Sequence, residues 1–144
     1  RFNNLSLYFR GDRTKNISLN ANASIGQYFN GTRNSYGVSA TIKRGYRFSV
    51  NMGLNKNLVT FPGISVNADI YTLKIKYNHS VKLFNTLYFQ YNGAEEKLVT
   101  NFRMNLIHAP LSDLFLVYSN ISDLNSDEKD TGMIALKFTK LFSL

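Results

Sequence analysis

The chain contains no cysteine and no tryptophan, two prolines in 144 residues, and roughly half as many acidic as basic side chains, 9 against 17. Without cysteine there is no disulfide scaffold and no thiolate metal site. Nowhere does the sequence offer the run of about 18 apolar residues that a transmembrane helix requires. The chain opens at Arg1 with neither an initiator methionine nor a signal peptide, and it reads as a mature or truncated chain. The shortage of acids leaves a formal net charge of +8. That charge is scattered singly or in pairs over separate segments, not gathered on one helix or loop, which argues against nucleic acid as a partner.

What the sequence does have is 11 Phe and 9 Tyr, a composition that favours strands, together with alternation of apolar and polar residues. The clearest case for function is the last segment, from Gly132 to Phe142. Ile134, Leu136, Phe138 and Phe142 share one parity, and Ala135, Lys137 and Thr139 the other. A closing strand that is apolar on one side, polar on the other and ended by an aromatic is what the final strand of an outer-membrane β-barrel looks like. Gly132, Leu136, Phe138 and Phe142 would then form the signal read by the barrel-assembly machinery.

The same alternation recurs along the chain. Leu5, Leu7 and Phe9 form a first apolar row, Ile17 to Ile25 a second, and Tyr36 to Ile42 a third. Tyr46, Phe48, Val50, Met52 and Leu54 make a fourth, and Tyr71 to Tyr77 a fifth. Leu87, Phe89 and Tyr91 follow, then Leu98 to Leu106, and then Leu114 to Asn120, which is apolar on both parities. Turn signals such as Asn30-Gly31, Arg44-Gly45 and Asn92-Gly93 separate them. The expectation is all-β: an antiparallel transmembrane β-barrel segment of about nine meander strands, one unit over 1–144, without a helix.

Alternation alone does not say which face looks inward, since a soluble sandwich alternates too. Strands of about nine to thirteen residues match a tilted membrane crossing, and polar rows of Asn, Ser, Thr, Lys and Arg suit a wet lumen. Counting back from a last strand that descends to the periplasm puts the connections after strands one, three, five and seven there, all short. The long segments Lys56 to Asn67 and Asp123 to Gly132 fall on the extracellular side, as such barrels prefer. Tyr36, Tyr46, Tyr71, Tyr77, Tyr91 and Phe142 would form interfacial girdles. Because bacterial single-chain barrels have an even strand number, nine strands point to the C-terminal part of a larger barrel, completed by missing N-terminal strands or a partner chain.

From Gln27 onward the sequence resembles the C-terminal barrel of a poorly characterised family of Bacteroidota-type outer-membrane proteins. The resemblance lies in Tyr28-Phe29-Asn30-Gly31, Leu87 to Asn92, Leu98 to Arg103, Pro110 to Tyr118 and Leu136 to Phe142. Where Leu111 stands, that family usually has glycine. The resemblance implies an N-terminal family 9-like carbohydrate-binding domain ahead of the barrel and no assigned reaction.

On these parities Arg10, Lys43, Arg47, Lys74, Lys76, Arg103 and Lys137 face the lumen, with every acid in a loop or at a strand end, so the interior should attract anions. His79, Ser80 and His108 are the ingredients of a hydrolase, but both histidines fall in short turns without a buried acid to orient them. Asp127, Glu128 and Asp130 lack calcium-loop spacing. The functional expectation is a non-enzymatic, porin-like segment in a Gram-negative outer membrane, serving as pore, scaffold or anchor. It needs no cofactor and has outer-membrane lipid as its partner. The alternatives are a soluble β-sandwich or ligand-binding barrel and an outer-membrane lipid hydrolase.

Overall fold

A computed structural model describes residues 3–125 and 130–140. Phe142, Asp127 and Glu128 lie outside the described residues. The alternating segments form nine strands: β1 (Asn4–Arg10), β2 (Ile17–Tyr28), β3 (Gly31–Arg44), β4 (Phe48–Phe61), β5 (Ile64–Asn78), β6 (Leu83–Asn92), β7 (Lys97–Ala109), β8 (Ser112–Asp123) and β9 (Thr131–Thr139). They make one sheet in chain order, every neighbour antiparallel, with β1 and β9 at its two edges. The fold is therefore an all-β antiparallel meander. The sheet is not closed, because β1 and β9 do not pair.

Residues opposite one another in an antiparallel ladder point to the same face, so the register sorts the faces. One row runs Ile17, Ile42, Val50, Ile75, Leu87, Phe102, Tyr118 and Ile134 from β2 to β9. It is apolar in every strand it crosses. Among the described residues nothing covers it: no hydrophobic side chain is buried, and Leu7, Val38 and Leu136 are 65%, 56% and 67% exposed. A chain of this size that folds alone in water buries most of its apolar surface. A sandwich would need a second sheet packed about 10 Å away, and the described residues form only one.

Four expectations are corrected. Lys56 to Asn67 is not a long loop. β4 and β5 continue through it as a ladder from Lys56↔Asp69 to Phe61↔Ile64, closed by Pro62 and Gly63 alone. Gly63 has φ +86°, which with the preceding proline meets the demand of a type II turn. The alternation was lost there because the apolar row turns polar at Lys56, Asn67 and Asp69 while the hydrogen-bonded ladder runs on. The connections after even-numbered strands are consequently not systematically longer than the others. Arg47 is not in a strand either; it lies in the β3–β4 turn. His108 belongs to β7 and not to a turn, and its ring stacks on Phe138 at 5.2 Å. Finally, Asp69 is inside β5 and on the apolar face, neither in a loop nor at a strand end.

Candidate functional site: the polar face of the sheet

The face opposite the apolar rows carries the polar chemistry. Over β1 to β4 it is a net of short hydroxyls and amides. Ser24 Oγ donates to Asn4 Oδ1 at 2.9 Å and lies 3.0 Å from Ser6 Oγ, Ser35 Oγ donates to Asn57 Oδ1 at 2.8 Å, and Asn51 Nδ2 donates to Thr41 Oγ1 at 2.8 Å. Such side chains satisfy one another across strands and keep capacity for water. Gly37 sits in this net because there is no room for more: a Cβ there would meet Asn22 Oδ1, and Asn55 Oδ1 at 2.7 Å.

Six of the seven expected basic residues are on this face. Arg10 stands opposite Asn20, Lys43 opposite Ser49, Lys74 and Lys76 opposite Tyr88 and Thr86, Arg103 opposite Thr86, and Lys137 opposite Phe115. The seventh, Arg47, is held in its turn, where Nε donates to Tyr46 Oη at 3.1 Å. Lys43 Nζ donates to the Arg13 carbonyl at 2.9 Å. Arg103 lies over the Phe115 ring at 5.2 Å, a cation–π arrangement that orients the guanidinium.

Two cations on the polar face were missed. Arg33 pairs with Gly26 and Val59 and donates to Ser35 Oγ and Asn57 Oδ1, both at 3.1 Å. The parity of Ser35 and Gly37 carried back two residues would have found it; beginning the third strand at Tyr36 hid it. Lys97 stands opposite Asn92 and is bridged to Glu95 at 3.4 Å.

The face is not uniformly polar. Phe115, Val117 and Ile121 of β8 and Met133 of β9 lie on it, the structural meaning of a strand apolar on both parities. Its acids, Asp113 and Asp123, are near the two ends of β8.

The hydrolase ingredients do not converge. Ser80 Oγ accepts from the Lys82 and Leu83 amides at 3.2 and 3.1 Å, which closes the β5–β6 turn. His79 lies 6.4 Å from Tyr77, ring to ring, and His108 is on Phe138. Asp130 accepts from Ser122 Oγ at 2.9 Å and from Asn120 Nδ2 at 3.4 Å.

Of the residues expected to form an assembly signal, Gly132, Leu136 and Phe138 lie in β9 opposite Asn120, Leu116 and Leu114. β9 is an edge strand whose outer backbone groups have no ladder partner. Comparison with models of known protein families, with curated proteins and with solved structures finds no match.

Proposed function

We propose that this chain forms part of the wall of a bacterial outer-membrane β-barrel, with the apolar rows toward lipid and the Asn-, Ser- and Lys-bearing face toward water. One observation carries the reading: a continuous apolar face across nine strands with no second layer over it among the described residues. Leaving that area in water is costly at about 25 cal/mol per Å². Hydrocarbon covers it without requiring a partner of matching shape, and strands of up to 15 residues are long enough to cross. Tyr71 and Tyr91, 6.1 Å apart ring to ring, fit the level of an interfacial girdle at one end of the band, and Phe48 and Tyr77, cross-strand partners, at the other.

The strand number supports closure by further strands. In an all-antiparallel meander of nine, β1 and β9 run in the same direction, so joining them would make a parallel pair. An odd number of additional strands, from N-terminal sequence or a partner chain, restores antiparallel pairing at both seams and an even total. The role is non-enzymatic: pore, scaffold, or anchor for the carbohydrate-binding-like domain that the family resemblance implies. The barrel-assembly machinery takes hold of β9, whose Gly132, Leu136 and Phe138 present an unpaired edge.

The test is folding with and without an amphiphile. In detergent micelles or lipid vesicles the chain should acquire strand circular dichroism and resist protease, and in plain buffer it should do neither. A monodisperse folded monomer in detergent-free buffer would overturn the proposal. Reconstituted full-length protein should prefer anions, and a cation-selective conductance would sink the lumen assignment.

A further inference from the structure

Among the basic residues of the polar face, Lys74, Lys76 and Arg103 line one depression. Lys76 is opposite Thr86, and Thr86 is opposite Arg103. One register step along, Lys74 is opposite Tyr88, and Tyr88 is opposite Asn101. With strands about 4.8 Å apart, the Lys76 and Arg103 backbones are about 10 Å from each other, on either side of Thr86. Lys74, Lys76, Thr86, Tyr88, Asn101 and Arg103 line a single depression of about 520 Å³.

Among the described residues no carboxylate forms an ion pair with Lys74, Lys76 or Arg103; Lys56 pairs with Asp69 and Lys97 with Glu95, and neither pair touches this group. Asp113, on the same face, is opposite Ile107, four positions from Arg103 and so about 13 Å along the strand. Three cations within about one Debye length of each other repel. The row eases this by alternating cation with hydroxyl, Lys43–Ser49–Lys76–Thr86–Arg103, so no two cations stand directly opposite.

We propose that this depression is a binding site for a phosphate- or sulfate-class oxyanion carried by a soluble solute. Three positive charges suit a dianion better than a monovalent carboxylate or halide. The donor set is an arginine fork, which takes two oxygens at once, two lysine point charges and the Thr86 hydroxyl, and it matches a group with several oxygens directed apart. The Arg103 guanidinium lies 5.2 Å from the centre of the Phe115 ring on β8, a cation–π contact at the rim of the depression. Tyr88 Oη donates to Gln90 Oε1 at 2.7 Å, so Tyr88 serves as wall. The site deepens the barrel proposal and rests on it in one respect, that this face is wet.

The test is a titration of inorganic pyrophosphate, phosphate and sulfate into the isotope-labelled full-length protein folded in zwitterionic micelles at constant ionic strength, followed by amide shifts. Saturable shifts at Thr86, Tyr88 and Asn101, absent with chloride, are expected. Lys76→Gln and Arg103→Gln should each weaken binding about tenfold, the loss of one charge-assisted contact. Arg33→Gln, on the same face but in β3, should leave it unchanged. With a dispersed sheet spectrum, an unsaturable response or an equal loss in Arg33→Gln overturns the site and leaves the barrel standing. Shifts at Thr86 only on doping with anionic phospholipid also overturn it, because they put this face against lipid. Full-length protein that forms no sheet in micelles overturns both.

Discussion

Lys56 and Asp69 meet across β4 and β5 on the apolar face, Nζ to Oδ2 3.6 Å. Below them the same rows are Leu54 with Tyr71 and Met52 with Leu73; beyond them come Leu58 with Asn67 and Thr60 with Ser65. The pair therefore marks where the apolar band ends. Its exposed partner, Lys56, can extend its ammonium to water while the stem stays on the sheet. An ion pair of this exposure contributes at most about 1 kcal/mol, so its value is as a boundary and not as a clamp.

A charge moved from that boundary to mid-band separates the two orientations of the sheet. Met52→Lys should destabilise the lipid-folded protein by about 2–4 kcal/mol. Ser39→Lys, on the polar face, should change stability by no more than about 0.5 kcal/mol. Denaturant titration in vesicles checks this, and equal effects would mean that the apolar face is not in hydrocarbon.

The β7–β8 turn holds Leu111 at φ +54° with its side chain 77% exposed. A non-glycine residue there costs about 1–2 kcal/mol, and little packing is lost on truncation. Leu111→Gly should therefore raise stability by about 1 kcal/mol, part of the gain being offset by the freer unfolded chain. A lower denaturation midpoint in the variant would contradict the left-handed backbone.

Gly37→Val forces a branched side chain between the Asn22 and Asn55 carboxamide oxygens. A loss of about 1–3 kcal/mol is expected, and Gly37→Ala should lose less. If both variants unfold like the parent, the amide net over β2 to β4 is looser than it looks.

Acid should open the β1–β2 turn before the sheet. Asp12 Oδ1 accepts from Thr14 Oγ1 at 2.7 Å and from the Thr14 amide at 2.8 Å, and these bonds hold its carboxyl below the ordinary value of 3.8. A depressed carboxylate contributes stability that is present above the unfolded value and lost as pH falls through the folded one. The Thr14 amide should thus keep its shift and protection down to about pH 4 and lose both below it. Asp12→Ala should remove the transition, and an unchanged acid profile would show that these bonds do not form.

Removal of residues 131–144 takes away β9 and exposes the β8 edge, and insertion in cells should fail. Phe138→Ala, which loses the stack on His108, should slow insertion without abolishing it. Normal insertion of the truncated chain would refute an assembly role for Gly132, Leu136 and Phe138.

Arg47 shows where local reading fails. It shares parity with Ser49 and Asn51, yet it stands in a turn, because a two-residue period does not say where a ladder stops. Lys56 to Asn67 fails in the opposite sense, since the alternation faded while backbone hydrogen bonding did not.

From the sequence alone came the existence of nearly every strand and the division of side chains into a greasy and a polar set, because a period of two is a property of neighbouring residues. The tertiary structure alone decided the register that sets Lys76 and Arg103 on either side of Thr86, the extension of β4 and β5 to a two-residue turn, and the open edges at β1 and β9. Those depend on which residues of distant segments share hydrogen bonds, and pairing over such separations leaves no local trace in the chain.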